Sequence, residues 1–147
     1  MHTVLYFSPD GVIYEARAYT KADIAALVYD FALESLTSAD RQFDFWFTPS
    51  ARPCHRHVNR LATEMLLTTT GFTADTVPLL RGAVVVATHD SDGGLDGLSW
   101  QQLDLLAERN RSLTRRDGRV LRRRISRDVR SSRARSRSRP LIVGDPR

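Results

Sequence analysis

Charge divides this chain into two parts of opposite sign, and that division limits where a core can form. Residues 1–108 carry seven basic side chains (Arg17, Lys21, Arg41, Arg52, Arg56, Arg60, Arg81) and fourteen acidic ones, a net of −7. Residues 109–147 carry fifteen Arg and three Asp, a net of +12, so the overall +5 conceals the asymmetry. Such a split reads as an acidic folded body with a basic extension that seeks a polyanion. The expected organisation is an α+β domain over residues 1–112 and an Arg/Ser-rich basic tail over residues 113–147.

A chain of 147 residues fits one domain with an appendage and a modest core. It contains no apolar run of the length a membrane span needs. Met1-His2-Thr3-Val4 lacks the positive region, apolar stretch and cleavage site of a secretory signal. The single cysteine, Cys54, cannot form an internal disulfide, which suits a reducing, cytoplasmic location. One Lys against 21 Arg is a bias that GC-rich codons produce without selection for the guanidinium group.

Apolar periodicity places the elements. Val4-Leu5-Tyr6-Phe7, the type I turn signal Ser8-Pro9-Asp10-Gly11 and Val12-Ile13-Tyr14 predict a β-hairpin over residues 3–8 and 12–18. Thr20 and Asp23 resemble a capping box, and Ile24, Leu27, Val28, Phe31 and Leu36 trace a helical stripe ending in Thr37-Ser38-Ala39-Asp40. Phe43, Phe45 and Phe47 alternate with Asp44 and Trp46 as a strand whose Phe side chains face the core. A second helix is expected over residues 54–70, stopped by Gly71. Gly82-Ala83-Val84-Val85-Val86-Ala87 reads as a buried strand. Ser99 and Gln102 form a capping box opening a third helix, with Leu98 and Leu103 placed for a hydrophobic staple. The predicted order is β-β-α-β-α-β-α, a small mixed or antiparallel sheet covered by helices on one face. In the tail, Val120, Leu121 and Ile125 define one short helical stripe. Residues 130–140 contain only Arg, Ser, Ala and Pro, and read as disordered. Leu141-Ile142-Val143 reads as a late edge strand, a docking peptide or an aggregation hazard.

Candidate chemistry is sparse. Cys54-His55-Arg56-His57 gathers soft ligands, but only Cys54 and His57 share a helical face and no second ligand pair has matching spacing, so no metal or cofactor is expected. Asp90-Ser91-Asp92-Gly93-Gly94-Leu95-Asp96 begins like a calcium loop, yet Leu95 stands where glycine is needed and Gln101 where a bidentate Glu is needed. That segment reads as a solvated turn, with His89 merely polar at its edge. Glu34 and Glu64 are expected on solvent-facing helix surfaces. Phosphate-loop, GxSxG and HExxH motifs are absent. No enzyme is expected. A Cys54–His57 nucleophilic pair is the only alternative the residues offer.

The tail carries the functional signal. Arg115, Arg116, Arg122, Arg123, Arg124, Arg133, Arg135, Arg137 and Arg139 place guanidinium forks along it, each able to pair with phosphate. Without aromatic residues among them, sequence-tolerant electrostatic binding of RNA or DNA by an open strand is expected. Alternatives are a solvated tail of no consequence, a tail folded back on the acidic body, and a protein–protein adaptor whose acidic domain holds the partner.

Three short segments carry a resemblance. These are Asn59-Arg60-Leu61-Ala62-Thr63, Leu80-Arg81-Gly82-Ala83-Val84-Val85-Val86, and Gly97-Leu98-Ser99-Trp100-Gln101-Gln102 after an Asp/Gly loop. Over residues 59–106 the chain resembles a small family of actinobacterial and phage proteins without an assigned activity. The resemblance implies a compact cytosolic α+β fold with a buried, hydrogen-bonding Asn59 at a helix entry. It implies no catalytic roles.

Overall fold

The computed structural model describes residues 1–29, 32–49 and 56–138, with side chains as far as Arg133. Among these residues the elements are β1 (His2–Phe7), β2 (Ile13–Ala18), α1 (Lys21–Val28), β3 (Glu34–Thr37), β4 (Asp44–Phe47), α2 (Arg60–Thr69), β5 (Val84–His89), β6 (Leu95–Asp96), α3 (Trp100–Arg111) and α4 (Arg115–Ser138). The architecture is α+β. The strands form an open antiparallel sheet in the order β2-β1-β5-β4-β3, with β6 paired to β5.

Local chemistry explains the elements that the sequence predicts. The Ser8 hydroxyl accepts from the Asp10 amide at 3.1 Å, and Gly11 supplies the positive φ of 90° that closes the β1–β2 hairpin. At α3, the Ser99 Oγ accepts from the Gln102 amide at 3.1 Å while the Gln102 Oε1 accepts from the Ser99 amide at 2.8 Å. The staple residue Leu98 is buried, and Leu103 packs against the same cluster.

Strand alternation delivers side chains to two cores. Phe7, Phe43, Phe45, Val84 and Val86 join α2, α3 and α4 on one face. Val4, Tyr6, Val85 and Ala87 meet Ile24 and Val28 of α1 on the other. Helices therefore cover both faces, not the single face expected. β5 explains why: its run of apolar residues in the centre of the sheet is buried front and back, and a one-sided sheet would leave Val85 and Ala87 in water.

Two helix boundaries, one strand and one burial also differ from expectation. α1 stops at Val28 because Tyr29 turns into the left-handed region at φ 62°, its amide reaching back to the Ala25 and Ala26 carbonyls. Leu36 lies instead on β3, opposite Phe45. α2 begins at Arg60, because Asn59 is its cap. Residues 54 and 55, assigned to that helix from sequence, lie outside the described residues. Glu64 is buried rather than solvent-facing, paired at 3.1 Å with Arg60 one helical turn before it.

Asn59 fastens α2 to the sheet. It is 2% exposed, and its Nδ2 donates to the carbonyls of Phe7 at 2.9 Å and Gly82 at 2.8 Å. Its Oδ1 accepts from the Ala62 amide at 3.2 Å. The buried hydrogen-bonding role expected of it is the one it has. Thr63 extends the network, donating to the Asn59 carbonyl and accepting from the Leu80 amide.

Candidate nucleic-acid interface

The basic segment is a helix. α4 runs without a break over 24 residues, about 36 Å at 1.5 Å per residue. The expectation of disorder from residue 130 onward is corrected as far as Ser138. Arg and Ala are good helix formers, and after Gly118 no Gly or Pro interrupts the chain before Pro140. Low complexity in this stretch hides a helical period. Thr114 starts the helix, its Oγ1 accepting from the Asp117 amide at 3.1 Å. Asp117 adds an acidic side chain in the first turn, where the helix dipole favours it.

The first half of α4 is docked on the body. Leu121 is fully buried in the same cluster as Met65, Leu66 and Leu106, with Val120 and Leu113 against it. Arg124 donates from Nη1 to the Ala74 carbonyl at 2.8 Å. Arg81 grips Asp128 with both arms of its guanidinium group, Nη1 to Oδ2 at 2.8 Å and Nη2 to Oδ1 at 2.6 Å. That hydrogen bond raises the Arg81 pKa above its ordinary value against the opposing pull of burial, with the Asp128 charge adding to it.

Docking sorts the arginines. Arg115, Arg116, Arg122, Arg123 and Arg133 are exposed on the outer side, whereas Arg124 is partly buried and committed to Ala74. Positions 135 and 137 continue the α4 backbone, and Arg139, like Leu141-Ile142-Val143, lies outside the described residues. Arg119, Arg127 and Arg130, not singled out from sequence, are exposed on the same side. A shallow depression there is lined by Arg119, Arg122, Arg123, Ser126, Arg127 and Arg130. The signal that finds them is the spacing of three and four, the same that places Leu121, Arg124 and Asp128 inward. α4 holds eleven Arg and two Asp, a net of +9, and both Asp are partly buried while the outer arginines are exposed.

The remaining candidates fall elsewhere. Cys54 and His55 lie outside the described residues, while His57 is exposed and its carbonyl accepts from the Gly82 amide at 2.9 Å. The Asp90–Gly94 turn is closed by its own carboxylate, Asp90 Oδ1 accepting from the Asp92 and Gly94 amides at 2.9 and 2.8 Å. Among the described residues no group of three His, Cys, Asp or Glu could hold a metal ion. His89 is more than merely polar. Its Nδ1 lies 2.7 Å from Asp44 Oδ2, and Thr37 donates to Asp44 Oδ1 at 2.7 Å. Three neighbouring strands thus meet in a hydrogen-bonded Thr–Asp–His row on the face opposite the α2 core. Chemically, this row can hold the imidazole in one orientation.

Among the described residues no helix is long and apolar enough to cross a membrane. Comparison with known proteins finds no matching family model, no matching curated protein and no matching solved structure.

Proposed function

We propose that this chain is a non-enzymatic accessory or regulatory protein that holds nucleic acid electrostatically through the outer face of α4. The observation that carries this reading is the sorting of charge around one helix. Exposed Arg115, Arg116, Arg119, Arg122, Arg123, Arg127, Arg130 and Arg133 face outward while Asp117 and Asp128 are drawn inward. Guanidinium groups pair bidentately with phosphate, and each neutralised phosphate releases counterions. Nothing on that face reads bases by stacking, since residues 101–147 contain no Phe, Tyr or Trp. Binding is therefore sequence-tolerant. The reading includes a cytoplasmic location, which the single cysteine supports.

Truncation is a poor test, because removing residues 113–147 also removes Leu121 from the core. The better one reverses charge on the intact chain. A mixed random-sequence DNA and RNA pool is titrated at two salt concentrations with the parent and with the combined Arg119→Glu, Arg122→Glu, Arg123→Glu, Arg130→Glu variant. Affinity is expected to fall at least about a hundredfold in the variant and to fall steeply with salt in the parent. An Arg17→Glu control leaves it unchanged. Equal affinity of parent and combined variant rejects the reading.

A further inference from the structure

We infer that α4 seats in the major groove of double-stranded DNA, with guanidinium groups on its two flanks set against the phosphates of the two strands. This rests on the nucleic-acid reading above and adds to it the form of the polymer.

Helical geometry supplies the first reason. At about 100° per residue, the exposed arginines occupy an arc of about 140° on α4. Arg115, Arg122 and Arg133 fall along one edge of that arc, and Arg116, Arg123 and Arg127 along the other. Arg119, Ser126 and Arg130 form the crest between them. Two cationic rows on either side of a crest match two phosphate rails on either side of a groove.

Shape supplies the second. An α-helix with its side chains is about 10–12 Å across, and the B-form major groove is about 12 Å wide and 8.5 Å deep. The A-form RNA major groove is too narrow and deep to admit it. A single strand gains most from aromatic platforms, and α4 has none.

The third reason is rigidity. Leu121, Arg124 and Asp128 fix the helix to the body over two turns. From Arg115 to Arg133 the rows run about 27 Å in a preset direction. A preset rod suits a stiff duplex, because neither partner has to be ordered on binding. The inward placement of Asp117 and Asp128 keeps the only two carboxylates of α4 off the arc.

The test uses the full chain and three probes of equal length: a DNA duplex, one of its strands alone, and an RNA duplex. The DNA duplex is expected to bind at least about tenfold tighter than either other probe, with a log–log salt slope near −5 for about six phosphates. Guanine N7, which lines the major groove, is expected to be protected from methylation. Ser126→Pro keeps every charge but breaks the rod, and should lower duplex affinity about tenfold while leaving the single strand unaffected. Ser126→Ala should bind as the parent does. No binding to any probe overturns both this inference and the proposed function. Equal or tighter binding of the single strand or the RNA duplex overturns this inference alone, as does protection confined to adenine N3 in the minor groove. Undiminished duplex binding by Ser126→Pro does the same.

Discussion

Arg81 and Asp128, 47 positions apart, meet in a two-point ion pair that joins the acidic body to the basic helix. Its polarity is the reverse of the chain's: the body supplies the cation and the helix supplies the anion. Side-chain exposures of 35% and 17% leave the pair partly shielded, so it is worth more than an ordinary surface bridge.

Asp128→Ala should therefore cost about 1–2 kcal/mol and loosen α4 from Leu121 onward. Amide hydrogen exchange over residues 119–130 is expected to accelerate while β5 stays protected. A double-mutant cycle with Arg81→Ala isolates the coupling. A coupling energy of zero would show the pair to be incidental.

Leu121→Ala should destabilise the whole body, by about 2–5 kcal/mol, because a fully buried leucine leaves a cavity among Met65, Leu66 and Leu106. Urea unfolding followed through Trp46 and Trp100 measures it. A loss limited to helix content, with the tryptophan transition unmoved, would mean that α4 is an appendage to a core complete without it.

Asn59→Ala strands the Phe7 and Gly82 carbonyls and the Ala62 amide inside the protein, and is expected to cost about 3 kcal/mol. Asn59→Asp should be no milder at neutral pH, since a carboxylate has no hydrogen to offer two carbonyl oxygens. An Asp variant as stable as the parent would contradict the assigned amide orientation. Thermal unfolding at neutral pH compares the two.

Asp40 gives the acid response. Burial pushes its carboxyl upward, but the Ser38 hydroxyl, the Gln42 amide and the Arg109 guanidinium outweigh that, so its pKa lies below the usual carboxylate value. A depressed pKa means stability that is present above the unfolded-state value and lost as pH falls through the folded-state one. Asp40→Asn should be less stable than the parent at neutral pH, and the difference should shrink as the solution is acidified. A pH-independent difference in melting temperature would remove the carboxylate from the explanation.

Much of the fold was legible because several elements announced themselves through more than one signal. The β1–β2 hairpin combines apolar strands with Ser8-Pro9-Asp10-Gly11, and α3 combines a capping box with a staple. β3 was not legible: Glu34-Ser35-Leu36-Thr37 offers one apolar residue, and a lone Leu36 fits the helical stripe of α1 as well as it fits a strand. Only its pairing with Phe45 decides, and that contact is nonlocal. The cationic segment itself was legible as charge, while its helicity was legible only around the Val120, Leu121 and Ile125 stripe and not from residue 130 onward. Composition rich in Arg and Ser reads as disorder when counted, and as a two-sided helix only when position is taken modulo the turn. Among the described side chains, the inward side holds no apolar residue beyond Ile125, Val129 being exposed, so the docking contacts through Arg124 and Asp128 carry no hydropathy signature. His89 was missed for a similar reason, since Asp44 and Thr37 reach it only across the sheet.

Fixing α4 against the body also fixes a direction in space. The sheet-and-helix portion is net negative and the appended helix strongly positive, so the molecule is a permanent electric dipole whose axis cannot swing freely. In the field around any polyanion such a dipole feels a torque before it makes contact, and turns its positive pole forward. Under the proposed function, capture would depend less on random tumbling than it would for a cation on a slack tether, and the gain would disappear as added electrolyte shortens the reach of the field.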